Sequence, residues 1–133
     1  MADSPPALSN ARRRAFTGTE WEPKVGYCRA LRTGSQLFVS GCAPVGATDK
    51  GAYDQAKRCI EILEKSLREL GAELRHVVRT RMFVTDISQW QEYGRAHGEA
   101  FGKHPPVTSM LEVKALIEPA MLIEIEADAV VDD

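Results

Sequence analysis

The segment from residue 122 to 131 reads Leu-Ile-Glu-Ile-Glu-Ala-Asp-Ala-Val-Val. Successive side chains of an extended chain point to opposite faces. Leu122, Glu124, Glu126, Asp128 and Val130 therefore fall on one side, and Ile123, Ile125, Ala127, Ala129 and Val131 on the other. This is a strand with one apolar face and one face carrying three acids. Any fold open to the chain must cover the first face and leave the second wet or paired across strands.

The cover is legible upstream. Between residues 52 and 70, Ala56, Ile60, Leu63, Leu67 and Leu70 recur at spacings of three and four, on one stripe of a helix. Thr48 or Asp49 is expected to cap its start and Gly71 to end it, with Glu61 pairing Lys65 and Glu64 pairing Arg68. Ser88 and Gln91 stand in capping-box spacing, which predicts a second helix over 89–101, ending at Gly102 before His104-Pro105-Pro106.

Residues 77–86 alternate as a strand, with Val78, Thr80, Met82 and Val84 on one face and Val77, Arg79, Arg81 and Phe83 on the other. Tyr27 to Arg32 and Leu37 to Gly41 form a hairpin around Thr33-Gly34-Ser35-Gln36, and 107–113 supplies a further strand. The cluster Arg12-Arg13-Arg14 reads as a solvated strand start. Residues 1–11, rich in Ser, Pro and Ala, read as a flexible lead-in to a single domain over 12–133. The order βββαβαββ predicts an α+β layout, a mixed sheet with both helices on one face. The opposite face then lacks a cover, which predicts self-association.

Composition narrows the function. Lys+Arg number 17 against 19 Asp+Glu with no basic stripe, so nucleic acid is not expected as a partner. No stretch approaches the roughly 20 apolar residues of a membrane helix. The three cysteines include no C-x-x-C pair and fit a cytoplasmic protein with reduced thiols. His76, His97 and His104 lie in separate elements, so no metal is expected, and no phosphate, dinucleotide or nucleophile-elbow motif is present. Cys42 has no adjacent base or cation and reads as inert. Glu126 and Asp128 are expected to pair with the face of Arg79 and Arg81. Arg95, with His97 and Glu99, reads as part of a solvated helix face.

Taken together, Tyr27 to Gly41 (YCRALRTGSQLFVSG), Val77 to Asp86 (VVRTRMFVTD), Ala100 to Pro106 (AFGKHPP) and Leu122 to Ala129 (LIEIEADA) resemble the RidA (YjgF) family, also labelled endoribonuclease L-PSP, over residues 27–131. The resemblance implies a chorismate-mutase-like (bacillus-type) fold with a six-stranded mixed sheet, and a homotrimer with small-molecule clefts between subunits. It also implies cofactor-free hydrolysis of enamines or imines such as 2-aminoacrylate. Tyr27 matches the motif tyrosine, Gly41 a backbone donor and Glu124 the carboxylate linked to water activation. The carboxylate-binding arginine of the P-x-R-S motif is replaced: the text here is Pro106-Val107-Thr108-Ser109. Thr108 stands at the arginine's position, and Met110, two residues on, is a further candidate substrate-binding residue. Arg29, Arg81 and Arg95 are candidates to replace the lost guanidinium.

A threonine offers one neutral hydroxyl where arginine offers a charged bidentate fork. The expected function is therefore a cofactor-free, deaminase-like hydrolase of a small imine, enamine or related carbonyl compound, inefficient on 2-aminoacrylate. The alternative is a non-catalytic trimer that binds or protects. The ribonuclease label receives no support from a basic or base-stacking surface.

Overall fold

The computed structural model describes residues 12–132, so the lead-in expected over 1–11 lies outside the described residues. The chain runs β1 (Arg13–Ala15), α1 (Trp21–Val25), β2 (Ala30–Thr33), β3 (Gln36–Cys42), α2 (Ala52–Glu69), β4 (Val77–Val84), α3 (Trp90–Phe101), β5 (Val107–Glu112) and β6 (Ile123–Val130). Single 3-10 turns, Leu74–His76 and Ile87–Gln89, lead into β4 and α3. The six strands form one sheet in the order β1-β2-β3-β6-β4-β5. β4 and β5 are parallel and every other pair is antiparallel. A parallel pair needs a long crossover, and α3 supplies it. This is the expected mixed α+β sheet.

The alternating C-terminal segment becomes a central strand. Ile123, Ile125, Ala127 and Ala129 are buried in one core with Ala56, Ile60, Leu63 and Leu67 of α2 and Tyr93, Ala96 and Phe101 of α3. The predicted apolar stripe of α2 is thus the buried one, and Gly71 takes the left-handed conformation (φ 81°) just past its end. Arg68 pairs with Glu64 at 2.9 Å, while Glu61 turns back to Arg58 at 3.3 Å.

Several local expectations change. Neither Thr48 nor Asp49 caps α2. Its N-cap is Gly51, and the buried Gln55 side chain instead ties the preceding loop through the Thr48 and Lys50 carbonyls at 3.3 and 3.0 Å. Ser88 does not cap α3 either. Its backbone N–H and hydroxyl both bond to Asp86, which caps the 3-10 turn before Trp90. β2 starts at Ala30 and not at Tyr27, because the chain before it is leaving α1 through Gly26 in the left-handed region (φ 88°). That five-residue helix contains Pro23 and is too short to show a period.

The register of β4 against β6 shifts between Val77 and Arg79. An extra residue in a strand inverts the faces on one side of it. Val77 is therefore buried and Val78 exposed, the reverse of simple alternation, whereas Thr80, Met82 and Val84 face the core as expected. On the other face Arg81 meets Glu126 at 2.9 Å and Asp128 at 3.9 Å, beside the exposed Phe38. Among the described residues no helix is long and apolar enough to cross a membrane.

Candidate functional site

The site begins with a buried carboxylate on α1. Glu22, only 2% exposed, accepts bonds from Thr17 N–H at 3.1 Å, the Thr17 hydroxyl at 2.5 Å and Gly18 N–H at 3.1 Å. Burial alone would push its pKa up. The Thr17 and Gly18 bonds and the charge of Arg29 outweigh that and hold it below the usual value. Arg29 Nε lies 3.7 Å from Glu22 Oε2, and the guanidinium, itself 6% exposed, reaches onward into β3. Its Nη1 donates to the Gly41 carbonyl at 2.5 Å and the Ser40 carbonyl at 3.4 Å, and Nη2 donates to the Tyr27 hydroxyl at 3.4 Å. Ser40 in turn donates its hydroxyl to the Cys28 carbonyl at 2.7 Å. The α1 turn, Tyr27 and the end of β3 are thus gathered around one cation.

These bonds hold an irregular stretch. The register of β3 against β6 shifts between Val39 and Cys42, which leaves Ser40 and Gly41 in a bulge. Glu124 of β6 lies directly over Gly41. A Cβ on Gly41 would come within 2.7 Å of the Glu124 Cδ and overlap its carboxylate, so any side chain there displaces the acid. The Glu124 pKa is raised, first by burial and also by neighbouring Glu126, against the opposing charge of Arg29. A half-buried carboxyl with raised proton affinity is able to take up and return a proton. Cys42, just beyond, is fully buried with its pKa pushed up to about 11 by desolvation, so it stays a thiol.

Tyr27, Arg29, Ser40, Gly41 and Glu124 line the polar side of a cavity of about 890 Å³. Trp21, Val25, Val45 and Ile117 line it as well, each more than a third exposed, so the remaining wall has an apolar rim. Gln55 braces the site from behind. It donates to the Ala120 carbonyl at 3.0 Å and accepts from Leu122 N–H at 2.8 Å, which anchors β6 two residues before Glu124.

Residues 17–131 match the family model described as Endoribonuclease L-PSP, a span that contains every member of this cluster. The chain belongs to the RidA/YjgF family. The structure resembles that of a Mycobacterium tuberculosis member of the YjgF/YER057c/UK114 family, with 47% identity and a TM-score of 0.87 over 91% of this chain and all of the other. A Pyrococcus abyssi RutC family protein is 32% identical over 124 residues, covering 90% of this chain and 97% of its own. An uncharacterised Streptomyces coelicolor protein is 30% identical over 125 residues, covering 91% and 93%.

The YjgF-type chain thus brings four of its sequence-designated residues together: Tyr27, Arg29, Gly41 and Glu124. The others stand elsewhere on the same chain. Thr108 and Met110 lie on β5 at the sheet edge, opposite Thr80 and Met82 of β4. Arg81 lies on the uncovered face with Glu126 and Asp128. Arg95 lies on α3, between Glu92 at 2.8 Å and Glu99 at 3.9 Å, with its guanidinium 3.7 Å from the centre of the Tyr53 ring. Among the described residues no cluster of His, Cys, Asp or Glu is arranged to hold a metal.

Glu22 and Gln55 are site-building residues that the sequence reading did not single out. Gln55 had a signal, since it is a polar residue on the apolar stripe shared with Ala52, Ala56 and Cys59, all buried. Glu22 had none, because α1 is too short to reveal which side faces inward.

Proposed function

We propose that this protein is a cofactor-free hydrolase of small, uncharged imines or enamines, with Glu124 as the proton-transfer group. The placement of the Glu124 carboxyl on the Gly41 backbone, within one cavity with Tyr27 and Arg29, carries this reading. In the proposed reaction Glu124 removes a proton from a water oriented with Tyr27, and the water oxygen bonds to the imine carbon. Glu124 returns that proton to the nitrogen to give a carbinolamine. It then takes the carbinolamine hydroxyl proton and passes it to the same nitrogen as the carbon–nitrogen bond breaks, so that the carbonyl product and ammonia leave. The Gly41 N–H is assigned to the developing oxygen.

The uncharged substrate class follows from charge. Arg29 is already committed to Glu22 and to backbone carbonyls, and the cavity lining carries Glu20, Glu61, Glu118 and Glu124 against Arg29, Arg58 and Lys65. No surplus of positive charge favours a carboxylate. We assign the working form to a trimer assembled through the uncovered sheet face, whose neighbouring copy brings its β5 edge, with Thr108 and Met110, to the cavity.

The test compares ammonia release from benzophenone imine, a neutral ketimine, with that from 2-aminoacrylate. Acceleration of the first above buffer, and by a larger factor than the second, is expected. If metabolites raise the melting temperature and none is converted, the non-catalytic binding trimer replaces this reading.

A further inference from the structure

One buried polar set is left unused by this chemistry. Thr80 is fully buried in β4, where its same-face neighbours Met82 and Val84 are apolar. A buried hydroxyl is unfavourable unless it is hydrogen-bonded. Here it has two partners: it shares a 2.8 Å bond with His97 Nε2 and donates to Thr108 Oγ1 at 2.7 Å. His97 is 9% exposed, and its ring is held against Phe101 at a centroid separation of 4.6 Å. Thr108 is exposed at the sheet edge, directly opposite Thr80 in the parallel register. The three groups form a continuous path from a buried imidazole to the surface.

The direction of that path has chemical content. A hydroxyl has one proton to give. When Thr80 gives its proton to Thr108 it accepts from His97, with the imidazole proton on Nε2; the reverse order, with that proton on Nδ1, would make Thr108 the donor to Thr80. In the Nε2–H arrangement Thr108 receives a bond and keeps its own proton free for a ligand. A donor hydroxyl suits a carbonyl oxygen or imine nitrogen, whereas a carboxylate calls for the charged fork that threonine lacks. Arg81, on the next position of β4, is turned to the opposite face and held by Glu126, so it does not supply that charge beside Thr108.

We propose that His97 and Thr80 are positioning residues that present the Thr108 hydroxyl as a fixed hydrogen-bond donor, making this edge position a specificity site for an uncharged carbonyl or imine. The proposal rests on the hydrolase reading only in counting Thr108 as part of the substrate site.

The experiment uses the full-length protein in its native assembly, with methyl pyruvate and pyruvate as neutral and anionic product analogues. Nitrogen-15 NMR of the His97 ring should show the Nε2–H tautomer. Methyl pyruvate affinity should fall roughly three- to tenfold in Thr108→Val and in Thr80→Val, the loss of one neutral hydrogen bond, and return to within about twofold of wild type in Thr80→Ser. Pyruvate affinity should stay within about twofold throughout. A wild-type Nδ1–H tautomer, absent methyl pyruvate binding, or unchanged affinity in Thr80→Val would overturn the proposal. Wild-type turnover in Glu124→Gln, with the Thr80→Val loss intact, would remove the hydrolase reading and leave the relay standing.

Discussion

At the residue scale, the site depends on telling one acid from its neighbours. Glu124, Glu126 and Asp128 share a face in the sequence, and nothing in the alternation ranks them. The structure separates them: Glu126 and Asp128 neutralise Arg81, whereas Glu124 lies over the Gly41 bulge with its pKa raised by burial. That burial carries a stability penalty once the group ionises. Because the folded pKa exceeds the unfolded one, the penalty is present above the folded value and disappears as pH falls below the unfolded one. Glu124→Gln should therefore melt higher than wild type at pH 7, an advantage lost below the ordinary carboxyl range. Calorimetry across pH checks this, and a lower melting temperature for the variant at pH 7 would contradict it. Thr108→Arg should raise 2-aminoacrylate turnover by about tenfold to a hundredfold, the range of one charged hydrogen bond. Steady-state kinetics reads it directly, and no gain would show that the lost guanidinium is not what limits the anionic substrate.

At the element scale, legibility followed regularity. α2, most of β4 and β6 repeat a period long enough to read, while α3 and β5 are marked by the Gly102 and His104-Pro105-Pro106 stop between them, and each forms close to its expected bounds. α1 and the bulges in β3 and β4 are irregular, set by tertiary bonds such as those of Glu22 and Arg29, and had no periodic trace. The cavity's polar wall is built largely on α1, the turn after it and the β3 bulge, so Tyr27 and Gly41 were recognisable only through family resemblance. Gln55 is the element-scale brace, joining the α2 entry loop to the start of β6. Gln55→Ala leaves several buried backbone groups unpaired and should lower stability by about 2–3 kcal/mol in urea denaturation with an unchanged m-value. A loss under about 0.5 kcal/mol would show that water replaces the brace.

At the scale of the whole molecule, the sheet has one covered face and one open one, and the open one mixes the Arg81 ion pairs with the exposed Phe38. Phe38 stands opposite Asp128 in the β3–β6 register. Phe38→Lys therefore gains an ion partner within the chain while removing apolar contact surface, and sedimentation should show the proposed trimer dissociating. A variant that stays trimeric would place the interface elsewhere. Under the proposed function, Glu124 carries cofactor-free hydrolysis in this assembly. The most direct measurement is ammonia release from benzophenone imine by metal-stripped wild type and by Glu124→Gln, both in their native assembly. A loss of at least about a hundredfold is predicted, the usual worth of a positioned acid–base group. Equal rates for the two proteins would rule out Glu124 as the proton-transfer group.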